Sequence, residues 1–311
     1  MCKQSDKTAF IFPASGHLSP GVCMDYYQKY PKVREFFDIA SDIHRMDFKK
    51  YFCDDSSDFR RPVDAELATM LVSISKYVAW MDEVDIKPTL FSGLSLGLYT
   101  SLIASGSLSM ADAFLLLKRT MEVGTTVPGK MGLIVGLSYE EVDELCRSEA
   151  FQGRVCIANY NMREQVAITG EDRLVETVLK LALKANAMKC KILYDGQFHS
   201  PALSQWADEM MGMMNGMDVK KPDIPILFLY NLKEATTPEE IKEFICKQIA
   251  APVRWYEALQ LMAHQGIENF VEFGPGALLS KMLRLDLDAV NSFTVKEPEE
   301  IWKIAERLPV M

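Results

Sequence analysis

The chain has 311 residues, 49% hydrophobic and 25% charged, which suits one large core with a smaller subdomain and excludes a disordered polypeptide. A formal net charge of −9 with no block of consecutive basic residues excludes a surface built to track nucleic acid. Residues 1–10 lack the long apolar core of a signal peptide, no apolar stretch approaches bilayer length, and seven scattered cysteines form no CxxC pair. A soluble cytoplasmic protein with reduced thiols is expected, with neither membrane association nor a disulfide or zinc framework.

In chain order, Thr8–Phe12 (TAFIF) reads as a buried strand stopped by Pro13, and a Ser/Gly/Pro-rich loop follows over 14–21. Apolar residues at helical spacing predict helices over 33–43 and 65–84. A brief strand over 88–92 leads to Gly93, and another helix should follow at once. Ser109 is a plausible N-cap for a helix over 109–123, with Ala113, Phe114, Leu116, Leu117 and Met121 on its apolar face and its end at Gly124. Pro128-Gly129 marks a break in organisation.

Residues 131–194 then run strand (GLIVGL), helix (SYEEVDELC), strand (RVCIANY), strand (QVAITG), helix (RLVETVLKLALKA) and strand (KCKILY). The first of these helices opens with a Ser138 to Glu141 capping box. This βαββαβ order is the ferredoxin-like split motif, expected as a subdomain over 128–195 inserted between core segments 1–127 and 196–311. Beyond it come a helix over 202–214, a strand over 226–230 and a helix marked by Thr237, Pro238 and Glu240. The strand 269–273, the turn Gly274-Pro275-Gly276, a strand over 293–296 and a helix over 298–307 close the chain. Strand–helix alternation on both sides of the insert predicts an α/β, mostly parallel-sheet, hydrolase-like core.

The sharpest local feature is Gly93-Leu94-Ser95-Leu96-Gly97, set between a predicted strand and a predicted helix as a nucleophile elbow requires. Glycines two residues either side relieve crowding in a tight turn, so the hydroxyl projects while the following N–H groups face a developing oxyanion. A serine nucleophile needs a base, and there are four histidines. His44, beside Arg45, and His264, late in a helix before Gly266, fit solvent-facing or capping roles. His17 lies in the loop after the first strand and His199 on a loop at a strand end, where α/β proteins place their sites. Each of the four also fits a purely structural role.

In motif order over nearly its full length, the chain resembles malonyl-CoA:acyl carrier protein transacylases and the related acyltransferases of polyketide synthases, stand-alone trans-acting ones included. Phe12-Pro13 and the glycine-containing loop resemble FPGQGSQ, and Gly93–Gly97 resembles GHSLG. Arg119 in LLLKRTMEV falls where the family has its carboxylate-binding arginine. Asn159-Tyr160-Asn161 with Gln165-Val166 resembles NFNSPGQVV, and Phe198-His199-Ser200 resembles FHS/FHT. Gln248 with Pro252-Val253-Arg254-Trp255 resembles QLxxPVxW, and Phe273-Gly274-Pro275-Gly276 resembles EVGPG.

The resemblance implies that Ser95 is acylated, that His199 takes and returns its proton, and that the backbone carbonyl of Gln248 steadies the imidazole. It implies an oxyanion hole from the N–H groups of Leu96 and Ser15, and a grip by Arg119 on the free carboxylate of a malonyl or related carboxylated group. Phe198 resembles the residue of malonyl-selecting members. The implied activity is ping-pong transfer from coenzyme A to the phosphopantetheine thiol of an acyl carrier protein, in fatty-acid or polyketide biosynthesis. The coenzyme A ester is a cosubstrate, no metal or bound cofactor is implied, and a monomer is expected. Arg163, Lys189 and Lys191 border the inserted lobe as candidate carrier contacts.

Three departures lie around the pocket: Leu94 and Leu98 replace a histidine and a glutamate, and Ala14-Ser15-Gly16-His17 replaces GQGS. They keep open an acyl hydrolase of the same fold or a transferase for an unusual acyl unit. An ordinary α/β-hydrolase esterase shares GxSxG but places its histidine late, where this chain has His264. A silent scaffold with an altered elbow is the remaining alternative.

Overall fold

The computed structural model describes residues 3–4, 7–14, 18–287 and 290–309. Thr8–Phe12 lies near the middle of a six-stranded sheet, parallel to Leu90–Gly93 on one side and to Asn269–Phe273 on the other. Asn291–Val295 extends the sheet in parallel beyond Asn269–Phe273. On the far side of Leu90–Gly93, Ile226–Phe228 adds in parallel and Lys233–Ala235 closes the edge antiparallel. The fold is therefore α/β with a mostly parallel core sheet.

Both faces of that sheet are covered, which is why TAFIF reads as a continuous apolar run. Alternate side chains point opposite ways: Phe10 and Phe12 enter the larger core, while Ala9 and Ile11 enter a second core with Trp255, Leu259 and Phe270. Phe10 meets the indole of Trp80 edge-on, with centroids 5.5 Å apart. Trp80 belongs to the helix Pro62–Glu83, which is buried along most of its length against this face.

A second sheet has the order Val253–Arg254, Val155–Met162, Gln165–Gly170, Lys130–Val135, Lys189–Asp195. The last four strands pair antiparallel, with helices Tyr139–Cys146 and Asp172–Lys184 on one face around a core of its own. Val253–Arg254, from outside residues 128–195, joins Asn159 and Tyr160 in parallel and so ties this sheet to the rest of the chain.

Several starts are set by local chemistry. Ser109 accepts the N–H of Asp112 at 3.0 Å, and the capping boxes at Ser138/Glu141 and Thr237/Glu240 both form. The helix opened by Ser109 runs to Thr126, past the expected stop at Gly124. Gly124 lies within the helix, and a Cβ there would lie 2.2 Å from the ring of Phe198, so this glycine makes room for a neighbour and does not end the helix.

Helices Met24–Lys29, Phe48–Cys53 and Leu278–Asp286 were not expected. The two shortest are fixed by burial of Tyr26, Phe48 and Phe52. The third starts where the buried carboxylate of Glu272 accepts the N–H groups of Leu279 and Ser280 at 3.1 and 2.8 Å. His44, expected to face solvent or cap a helix, instead pairs through Nε2 with Asp64 Oδ1 at 2.7 Å, with a largely buried ring. No helix of the described residues is long and apolar enough to cross a membrane.

Candidate active site

Ser95 sits between the strand Leu90–Gly93 and the helix Gly97–Ala104 with φ of 53°, a left-handed conformation that a non-glycine residue adopts only when its surroundings enforce it. The enforcement is close backbone packing. A Cβ on Gly93 would lie 2.0 Å from the carbonyl carbon of Gly97, and one on Gly97 would lie 2.1 Å from the carbonyl oxygen of Phe12. The Leu94 N–H donates to Phe12 O and the Gly97 N–H to Leu94 O, both at 2.9 Å, closing the turn. Leu96 stands just before the helix, where no intrahelical carbonyl reaches its N–H.

His199 arrives from the small-sheet side. Beyond Lys189–Asp195 the chain is pinned to the end of the helix Met110–Thr126. There Gln197 N–H donates to Gly124 O at 3.0 Å, Gln197 Nε2 to Pro128 O at 2.7 Å, and Ser200 Oγ to Gln197 Oε1 at 2.8 Å. His199 is itself left-handed, with φ of 52°. Its Nε2 lies 2.7 Å from Ser95 Oγ, and its Nδ1 lies 3.2 Å from the backbone carbonyl of Gln248.

A carbonyl only accepts, so Nδ1 carries the proton and Nε2 presents a lone pair to the serine hydroxyl. Burial holds the imidazole pKa down at about 4, against a weaker opposing pull from the carbonyls of Gln248 and Ala251. A neutral imidazole thus presents its lone pair to the Ser95 hydroxyl.

Two cavities meet at this pair. The smaller, about 40 Å³, is walled by Leu98, Tyr99, Leu117, Thr120 and Ile249 among others, and the larger, about 210 Å³, runs toward the small sheet past Asn159, Asn161, Tyr194 and Met282. Buried acceptors have no partner there: the side-chain oxygens of Asn159, Asn161 and Gln248 are all unsatisfied. Glu66 also lines the larger cavity. It accepts from the Tyr194 hydroxyl at 2.9 Å, yet burial pushes its carboxyl up to about 8, so it is largely protonated at neutral pH.

Arg119 is not where a substrate carboxylate would need it. Helix Met110–Thr126 turns a stripe of Leu117, Thr120, Met121 and Gly124 inward, while Arg119 lies one residue, or about 100°, around the axis from Thr120. Its guanidinium donates to Glu209 at 3.1 Å, lies 3.5 Å from Glu122 and stacks over Trp206 with its carbon 5.0 Å from the ring centroid. It lines neither cavity. The position facing the cavity is Thr120, whose hydroxyl bonds that of Tyr99 at 2.9 Å.

Ser15 and His17 fall outside the described residues. His264 is exposed at the end of the helix Trp255–His264, away from Ser95. Arg163, Lys189 and Lys191 are exposed on the small sheet. Lys189 and Gln165, two residues past Arg163, flank Val135 in register at one end of it.

The acyl transferase domain model matches residues 41–299, most of the chain. This chain belongs to the acyl transferase family. Among curated family members, the malonyl CoA-acyl carrier protein transacylase of Bacillus subtilis is 29% identical over 303 residues, covering 95% of both chains. The Escherichia coli protein of that name is 27% identical, covering 93% of this chain and 96% of its own. Of solved structures, an acyl carrier protein S-malonyltransferase from Vibrio cholerae superposes with TM-score 0.89 at 26% identity, covering 96% of this chain and all of its own. One from Burkholderia pseudomallei gives 0.88 at 30%, with 96% and 99% covered.

Within this family fold, sequence reading missed Thr120, Tyr99 and Glu66 as cavity residues. For the first, a signal was present: Leu117, Thr120, Met121 and Gly124 lie at i, i+3, i+4 and i+7, and Arg119 breaks that period. No local signal marked Glu66, whose place depends on Tyr194 reaching it from 128 residues away.

Proposed function

We propose that this chain is a serine acyltransferase that moves an acyl group from coenzyme A to the phosphopantetheine thiol of an acyl carrier protein, malonyl being the group in its relatives' names. The observation that carries the reading is the contact of 2.7 Å between Ser95 Oγ and His199 Nε2, with Nδ1 donating to Gln248 O. As Ser95 Oγ bonds the thioester carbon, its proton passes to Nε2, and the same proton leaves with the coenzyme A sulfur when the C–S bond breaks. The carrier thiol reverses the sequence.

The Leu96 N–H is the oxyanion donor among the described residues. Peptide-like amides of a pantetheine arm in the larger cavity suit the unpaired acceptors of Asn159 and Asn161. Nucleophile, base and donor all come from the protein, so the reading includes no metal or bound cofactor. It includes a cytoplasmic enzyme with coenzyme A ester and carrier as partners, and no role for nucleic acid or membrane. The enzyme acts as a monomer, for which light scattering should return a mass near 35.2 kDa, and a dimer mass would refute that point.

The test of the activity is intact-mass analysis after mixing with malonyl-CoA and a panel of other acyl-CoA esters. An acyl adduct should form, disappear on addition of a phosphopantetheinylated carrier that gains the same mass, and be absent from Ser95→Ala. A wild-type chain left unmodified by every donor would end this reading.

A further inference from the structure

Among the described residues, the site around Ser95 holds no cation for a substrate carboxylate. Among the described residues, neither cavity is lined by lysine or arginine, and the one charged-type side chain present besides His199 is Glu66, an acid. Whichever cavity receives the acyl group, its described walls are neutral or acidic. In the smaller one, the hydroxyls of Thr120 and Tyr99 are spent largely on each other at 2.9 Å, and Leu98, Leu117, Met121 and Phe198 complete the wall.

Arg119 does not supply that charge: helical phase directs it away from both cavities, where it pairs with Glu209 and stacks on Trp206. A carboxylate entering either cavity would lose hydration without gaining a counter-ion from the described residues, which is among the costliest exchanges in a protein interior. An acetyl or butyryl group has no charge to desolvate and gains contact with the apolar walls.

We propose that acyl groups are selected here by size and apolarity and not by charge, so that short uncarboxylated acyl thioesters acylate Ser95 at least as fast as malonyl. This rests on Ser95 being the acylated residue and concerns only which acyl group it accepts. The step is the same: the Ser95 Oγ to carbon bond forms, the C–S bond breaks, and the serine proton leaves on the thiol through His199.

The deciding experiment mixes the full chain with equimolar malonyl-, acetyl- and butyryl-CoA in competition and resolves the early adducts by mass. Acetyl or butyryl adduct should equal or exceed malonyl adduct, and Arg119→Ala should leave the malonyl to acetyl ratio within about twofold of wild type. Malonyl adduct exceeding both others, or a selective loss of malonyl loading in Arg119→Ala, overturns the proposal. Absence of any adduct from any donor is a separate result that removes the Ser95 reading beneath it.

Discussion

Replacing His199 by alanine is expected to slow acyl-enzyme formation by about 10²–10⁴-fold, the range for loss of a positioned general base. The ring bridges Ser95 Oγ and Gln248 O, and no other histidine of the described residues approaches the serine. Stopped-flow or quenched mass analysis of the first turnover measures this directly, with thermal melting to confirm that the variant is folded. A loss under about tenfold would show that the contact is structural.

The same residue sets the pH profile. Burial lowers the His199 pKa from 6.5 to about 4, so the ring stays neutral well below the pH at which an exposed histidine protonates. The acylation kcat/KM should stay level from neutral pH down through the ordinary histidine range and fall as pH passes through about 4. A break at 6.5 would show a solvated ring. Between 6.5 and about 4 the unfolded chain takes up a proton that the folded chain refuses, so this group's contribution to stability is full above 6.5 and declines as pH falls across that window.

The second large effect belongs to the elbow glycines. Gly97→Ala places a Cβ 2.1 Å from Phe12 O, and Gly93→Ala places one 2.0 Å from the carbonyl carbon of Gly97. Both clashes are with backbone, so relief requires shifting the helix Gly97–Ala104 away from the strand Thr8–Phe12 and carrying Ser95 out of reach of His199. Each variant should lose about 3 kcal/mol of stability, the upper part of the overpacking range, and most of its acylation rate. Gly212→Ala is the matched control. Its Cβ meets nothing within 4 Å in the helix Ser204–Asn215, and the change should stabilise the chain by about 0.5–1 kcal/mol. Urea melts compare the three, and an unperturbed Gly97→Ala would contradict the packing described for the elbow.

Neighbouring turns are held by groups that sequence reading passed over. Lys76, 4% exposed in the middle of the helix Pro62–Glu83, donates through Nζ to Gly274 O at 2.8 Å and to Val295 O at 2.9 Å. It thereby fastens the turn after the strand Asn269–Phe273, where Gly274 packs against Pro13: a Cβ on Gly274 would lie 2.4 Å from that ring. In sequence Lys76 is one lysine in a largely apolar helix. Its partners are backbone carbonyls about two hundred positions away, so nothing near it announces the role.

Apart from the helix Leu278–Asp286, elements with enough residues to declare a period were legible, as were starts marked by side-chain chemistry such as Ser109, Ser138 and Thr237. The short strands Lys233–Ala235 and Val253–Arg254 were not, because two or three residues carry no period and exist only as additions to strands already present. Arg119 shows the limit at the site. One position along a helix turns a side chain about 100° around the axis, here from the cavity that Thr120 lines to Glu209 and Trp206.

What the sequence by itself determined was the local grammar: a five-residue apolar strand, a glycine-flanked serine between strand and helix, and a histidine on a loop beyond the inserted lobe. These follow from steric and capping preferences that act within a few residues. Tertiary structure alone decided that Ser95 and His199, 104 positions apart, touch, that Gln248 O accepts from the ring, and that Arg119 meets Glu209 while Thr120 meets Tyr99. Those outcomes depend on how helices are rotated and docked against the sheet, and packing fixes that rotation only when the whole core has formed.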